Sequence, residues 1–455
     1  MLISSKIDGL QLEAGPIAMV FHESILVEVN MMKRTSILVI LLVAILGLTA
    51  CAQPVSGEVI RSQKQRLTSP DVSEVDLATL VDGNSAFAFD LYQALREKGD
   101  NLFYSPYSIS LALAMTYAGA RSETAQQMAD TLYFSLPQDR LHPAFNSLDI
   151  ELAQRGEGAQ GKDGKGFRLN IVNAIWGQND YKFLADFLDV LAEDYGAGLR
   201  ILDFASAPEE SRITINNWVN DQTEGRIEDL IPQGLINALT RLVLTNAIYF
   251  NAAWQYPFEE DITDDGTFYL IKGNEIAVPM MKQTESFGYA EGGGYQAIEL
   301  PYDGRELSMV ILLPARDQFE SFEASLDAQQ VDAILGSLAQ REINLTMPGF
   351  EFESDFGLKE TLTALGMPVA FSADADFSGM TGNRNLFIAD VIHKAFVSVD
   401  EAGTEAAAAT AVVMELTALP DMPIDVNVNH PFIFLIHDIE TGAILFVGRV
   451  VNPSA

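Results

Sequence analysis

A single cysteine in 455 residues, Cys51, excludes an internal disulfide and leaves the redox compartment unreadable from cysteine usage. Basic residues are scarce: 28 Lys and Arg stand against 63 Asp and Glu, a net charge of −35. Nucleic acid and anionic membrane are poor partners for so acidic a surface, whose plainest consequence is solubility. The five histidines, His22, His142, His393, His430 and His437, form no HExxH or other metal spacing, and the chain holds no CxxC, GxSxG or Walker loop. No metal site is expected, and an enzyme is the weaker reading. The apolar run Ile37–Leu48 is too short for a comfortable membrane span, which takes about 20 residues.

What is present is a globular composition, 48% hydrophobic and 9% aromatic, with material for a large core. Lys33 and Arg34 precede the apolar run, and small residues lead from it to Cys51, the order of a secretory signal. "LTAC", Leu48 to Cys51, resembles the bacterial lipobox, in which the cysteine becomes the lipidated N-terminus. That reading anchors the protein by Cys51 to the membrane of a bacterial envelope, outside the cytoplasm; the alternative, an ordinary signal peptide with an incidental cysteine, leaves it secreted. Residues 1–30 carry Asp8, Glu13, Glu23 and Glu28, which suit no export signal, so translation is expected to start at Met31 or Met32. The organisation expected is an upstream extension over 1–30, a signal over 31–50, a flexible tether over 51–80 and one domain over 81–455.

In the domain, "NSAFAFDLYQALREK" (84–98) places Phe87, Leu91, Ala94 and Leu95 on one helical face. "SPYSISLALAMTYAGA" (105–120) opens in helix-start order and is apolar nearly all round, a buried helix. Residues 181–195 and 213–231 read as amphipathic helices. Residues 168–177, 242–254, 297–302, 307–314, 343–352, 395–400 and 432–438 read as strands, and 155–167, rich in Gly and charge, as a surface loop. Helices lead and strands dominate the second half, so the fold class is α+β. Ser105, Ser108 and Asn246 stand amid apolar neighbours as caps or hydrogen-bonded core groups, which opening of the surrounding sheet would disrupt. "DEAGTEAAAATAVV" (400–413) has six alanines and no charge after Glu405. Alone it could be a helix, since alanine is the best helix former, yet it opens with Gly403 and Thr404 and closes in β-branched residues.

"NLFYSPYSISLALAMTYAGARSETAQQM" (101–128), "LVLTNAIYFNAAWQYPF" (242–258), "LPYDGRELSMVILLP" (300–314), "VIHKAFVSVDEAGTEAAAATA" (391–411) and "NHPFIFLIHDIETGAILFVGRVVNP" (429–453) resemble the serpin family, in family order and spacing. The resemblance implies three β-sheets, about nine helices and an exposed reactive-centre loop, in a monomer that needs no cofactor. Inhibitory serpins are cleaved in this loop by a serine protease, which is trapped as a covalent acyl-enzyme when the loop inserts into sheet A. Non-inhibitory members, acting as carriers, chaperones or protease substrates, are the alternative. The hinge corresponds to Glu401, Gly403, Thr404, Glu405, Ala406, Ala407, Ala408, Ala409 and Thr410. Read with period two, Thr404, Ala406, Ala408, Thr410, Val412 and Met414 form an uncharged face, and Glu405 and Glu415 lie on the other.

By the same resemblance Ser105, Ser108, Asn246 and His393 match the shutter under the middle of sheet A, and Trp254 the breach at its top. One departure stands out: Gly349 occupies the place where many members carry a cation that pairs with the hinge glutamate, leaving Glu401 without this partner. Hinge length puts the reactive bond at Thr417–Ala418, with Leu416 and Leu419 as alternatives and Met414 less favoured. No Lys or Arg lies between Glu401 and Pro431. Elastase-, chymotrypsin- or subtilisin-like proteases therefore fit better than trypsin-like ones. No early helix carries a basic run, so no heparin activation is expected.

Overall fold

A computed structural model describes residues 57–156, 159, 168–404 and 422–454. The first element is a strand, β1 (Glu58–Ile60). Ser73 then caps helix α1 (Glu74–Leu95) by accepting from the Asp76 amide, which starts the helix ten residues ahead of its expected onset. After β2 (Leu102–Tyr104), Ser105 and Pro106 start α2 (Pro106–Tyr117), every residue of which is buried. The chain continues through α3 (Ser122–Leu132), α4 (Gln138–Ala153), β3 (Arg168–Gln178), α5 (Ala185–Tyr195), β4 (Leu199–Leu202) and α6 (Pro208–Gln222). Residues 223–231, expected to prolong α6, form turns and irregular chain instead.

Strands follow in succession: β5 (Leu242–Ala253), β6 (Asp264–Tyr269), β7 (Glu275–Gly292), β8 (Tyr295–Pro301) and β9 (Leu307–Pro314). Helices α7 (Phe319–Ser325) and α8 (Ala328–Ser337) lead to β10 (Ala339–Pro348) and β11 (Phe350–Gly357). The remainder is α9 (Lys359–Leu365), α10 (Ser378–Thr381), β12 (Val391–Val399), β13 (Gly403–Thr404), β14 (Ile424–Asn427), β15 (Phe432–Asp438) and β16 (Ile444–Val450). In β15 and β16 every residue is buried, as continuous apolar runs require, whereas β11 alternates buried and exposed as a half-covered strand does.

The first sheet runs β1-β4-β3-β5-β13-β12-β11, and the second β14-β10-β7-β8-β9-β15-β16-β2 with β6 on β7. The mixed α+β class stands, with ten helices among the described residues. The smaller sheets run together, because the 18-residue β7 pairs with β6, β10 and β8 along its length. Gly349 divides the stretch 343–352, read from sequence as one strand, into β10 in the second sheet and β11 in the first. α2 packs among β3, β5 and β16 and joins the sheets into one core. Gly448 is required there, since a Cβ would lie 2.2 Å from the Phe434 ring.

The expectation of a free tether up to residue 80 is corrected over Gly57–Val72, a strap that hydrogen bonds hold to the domain. β1 pairs antiparallel with β4 and forms the edge of the first sheet. Ser62 donates to Asp189, Lys64 pairs with Glu193 at 2.9 Å, and the Leu67 amide donates to the Glu193 carbonyl at 2.8 Å. Arg66 pairs with Asp149 at 2.6 Å and donates through Nε to Asn146 at 2.8 Å. In a chain so acidic, the cations of this strap lie along acidic faces of α4 and α5.

Candidate functional site

The first sheet is closed at its middle and opened at its top by the start of a new strand. β5 and β12 run parallel and pair directly from Leu244–Tyr249 to Val391–Phe396. Above that stretch β13 sits between them, antiparallel to both: Thr404 faces Ala252 on β5 and Val399 on β12, and Gly403 faces Ala253. Thr404 is 1% exposed, so its side chain points into the protein.

Beneath the closed stretch lies a polar cluster. Asn173, Asn246, His393 and Phe356 form one lateral row across β3, β5, β12 and β11. Asn246, His393, Ser105 and Ser108 are all fully buried. His393 Nε2 accepts from the Ser105 amide at 3.3 Å, which leaves the proton on Nδ1 to be donated to Asn246 Oδ1. Asn246 Nδ2 donates in turn to Ser108 Oγ and Asn173 Oδ1, and Asn173 Nδ2 donates to the Ser108 carbonyl at 3.2 Å. Ser105 Oγ accepts from the Ser108 amide at 3.1 Å as the N-cap of α2. Burial pushes the His393 imidazole down to about 3, so it is neutral, as its bonding requires. Separating β5 from β12 breaks the His393–Asn246 bond, and each buried partner left unsatisfied costs about 1–3 kcal/mol. The four residues expected as the shutter are thus brought together, and Asn173, which sequence reasoning missed, completes them. Its signal was its place on a strand whose neighbours are apolar.

At the top, the Trp254 ring stacks on Tyr302 at 4.7 Å and 8°, Trp254 Nε1 donates to the Asp400 carbonyl at 3.0 Å, and its amide to the Ala402 carbonyl at 2.9 Å. Asp400 Oδ1 accepts from the amides of Ala402 and Gly403 at 2.9 and 3.1 Å, turning the chain from β12 into β13. Trp254 therefore grips the base of the loop. Glu401 Oε1 accepts from Thr263 Oγ1 at 2.8 Å, so a neutral hydroxyl holds the glutamate whose cationic partner is absent at Gly349. Glu405, Ala406, Ala407, Ala408, Ala409 and Thr410, the bond Thr417–Ala418 with Leu416 and Leu419, and Cys51 lie outside the described residues. Among the described residues no group of three His, Cys, Asp or Glu is placed to hold a metal.

Residues 82–453 match the family described as Serpin (serine protease inhibitor). An uncharacterized serpin-like protein of Thermococcus kodakarensis is 42% identical over 376 residues, 82% of this chain and 86% of its own. The leukocyte elastase inhibitor of Equus caballus is 41% identical over 385 residues, 81% of this chain and 98% of its own. Among solved structures, the thermophilic serpin tengpin in its native state has a TM-score of 0.75 at 29% identity, covering 86% of this chain and 97% of that one. Human thyroxine-binding globulin complexed with thyroxine has a TM-score of 0.74 at 30% identity, covering 84% and 100%.

Proposed function

The chain belongs to the serpin family of serine protease inhibitors, and from that footing we propose that it traps serine proteases by cleavage and insertion of its loop. The observation that carries the reading is β13, two residues of strand already lodged between β5 and β12. From Thr404, each step along the loop is one step down both neighbouring strands. Continued at the observed register, residue 410 arrives opposite Asn246 on β5 and His393 on β12, a pair already in register with each other. Because Thr404 points inward, period two sends Ala406, Ala408 and Thr410 inward as well, and Glu405 outward. Small side chains enter without displacing the core, and the Thr410 hydroxyl meets the polar cluster that the opening sheet disrupts. Two new ladders at roughly 0.5–1.5 kcal/mol per bond, less the six-residue ladder lost between β5 and β12, still stabilise a strand of about ten residues by on the order of 10 kcal/mol, which favours carrying an attached protease across.

The loop carries no Lys or Arg between Glu401 and Pro431, which favours proteases of elastase-, chymotrypsin- or subtilisin-like specificity, with Thr417–Ala418 as the bond attacked. Lipidation of Cys51 places the inhibitor on the outside of a bacterial envelope, where such proteases reach it. A carrier role, of the kind the name thyroxine-binding globulin describes, does not call for a hinge free of bulk from Ala406 to Ala409. The test is incubation with proteases of the three specificities, followed by denaturing gels and mass spectrometry. A denaturant-resistant complex with a released peptide beginning at Ala418 is expected. Clean cleavage with protease activity undiminished would sink the inhibitor reading.

A further inference from the structure

Thr404 is held in the sheet by a residue that belongs to neither neighbouring strand. Tyr302 lies in the turn after β8, bonded through its amide to the Leu307 carbonyl at 2.9 Å, and reaches up from the second sheet. Its hydroxyl meets Thr404 Oγ1 at 2.8 Å, with both residues 1% exposed. The ring cannot swing aside: Trp254 stacks on one face, Phe250 meets it edge-on at 5.1 Å and 73°, and a bridge pairs Trp254 with Tyr302. Burial pushes the phenol well above its ordinary pKa, so the hydroxyl keeps its proton at any working pH. Backbone pairing alone would let a two-residue strand slip or withdraw, since so short a ladder is weakly specified. A side-chain bond to a fixed ring removes that freedom.

We propose that the Tyr302 hydroxyl is a positioning group that pins Thr404 between β5 and β12 and so sets the register from which the loop inserts. This rests on the inhibitor reading above and adds a residue on the second sheet to the machinery of the first. Without the pin, cleavage finds the loop base unpaired, insertion starts later, and more acyl-enzyme is hydrolysed before it is trapped.

The test uses the full chain with Tyr302→Phe, Thr404→Val, the double variant and Thr404→Ser. Deuterium exchange over Ala402–Thr404 and the moles of inhibitor consumed per mole of protease are read in each, with slow exchange in β15 confirming the fold. Exchange is expected to rise about tenfold or more in the Phe and Val variants, with the double variant no faster than either and Ser like the unmodified protein. Consumption per protease rises about twofold or more in the Phe variant. Unchanged exchange overturns the pin, and faster exchange with unchanged consumption overturns its part in insertion. An unmodified protein that forms no complex refutes the inhibitor reading instead, and exchange still decides the bond.

Discussion

Acid should weaken this fold through His393 by an amount that can be worked out. The folded imidazole titrates near 3 and the unfolded one near 6.5, so below pH 6.5 the unfolded chain binds a proton that the folded chain refuses. Stability contributed by the neutral ring is therefore lost as pH falls from about 6.5 toward 3. At pH 5 the cost is about 1.5 pH units at 1.36 kcal/mol each, roughly 2 kcal/mol, and it hardly depends on the folded value while that stays below 5. His142, pushed down to about 4 by burial, adds a similar dependence, and Asp194, pushed up to about 6, opposes it. These groups titrate alike in a His393→Gln variant and cancel in the comparison. Urea unfolding followed through Trp176, Trp218 and Trp254 at pH 7 and 5 should show the unmodified protein losing about 2 kcal/mol more than the variant. Parallel losses would refute the assignment of His393 as a neutral donor to Asn246.

Three further outcomes are expected. Ala408→Glu, on the inward face, should turn a trapping inhibitor into a cleaved substrate, while Ala407→Glu on the outward face should trap nearly as well; equal effects on gels would dismiss the parity argument. Arg449→Ala removes the cation 2.7 Å from Glu323, with side chains 4% and 7% exposed, but leaves that carboxylate Tyr92 Oη at 2.7 Å and Arg96 at 3.6 Å, so it should cost about 1.5–3 kcal/mol by denaturant midpoint. Arg66→Ala removes one part-exposed ion pair and one guanidinium hydrogen bond to the Asn146 amide oxygen, together about 1–2 kcal/mol, so exchange in β1 should quicken about tenfold while the rest of the first sheet stays slow.

Much of this was legible in the sequence because local rules and tertiary structure agreed. Ser105 and Pro106 announce a helix start that is one, and the apolar runs 307–314 and 432–438 are buried strands at those bounds. What escaped depends on partners remote in the chain. The strap looked aperiodic because Lys64 and Arg66 take their place from carboxylates on α4 and α5, more than 80 residues away. Residues 343–352 read as continuous because alternation says nothing about which sheet a strand joins, and only the one-residue break at Gly349 divides them. Tyr302 was visible as the end of a strand and as part of a family motif, but its bond to Thr404 joins residues 102 apart in the chain. Thr263 likewise gained meaning only when Glu401 was found beside it.

The strap changes how far the inhibitor could wander. Thirty loose residues after Cys51 would let the domain roam with an r.m.s. reach of about 30 Å. With the chain fastened from Gly57, only six residue steps remain, at most about 20 Å even fully stretched. A lipid on Cys51 would then keep the β1 edge almost grazing the bilayer. A lipidated molecule of this kind would be a sentry on its own wall, meeting only proteases that come to the surface it guards.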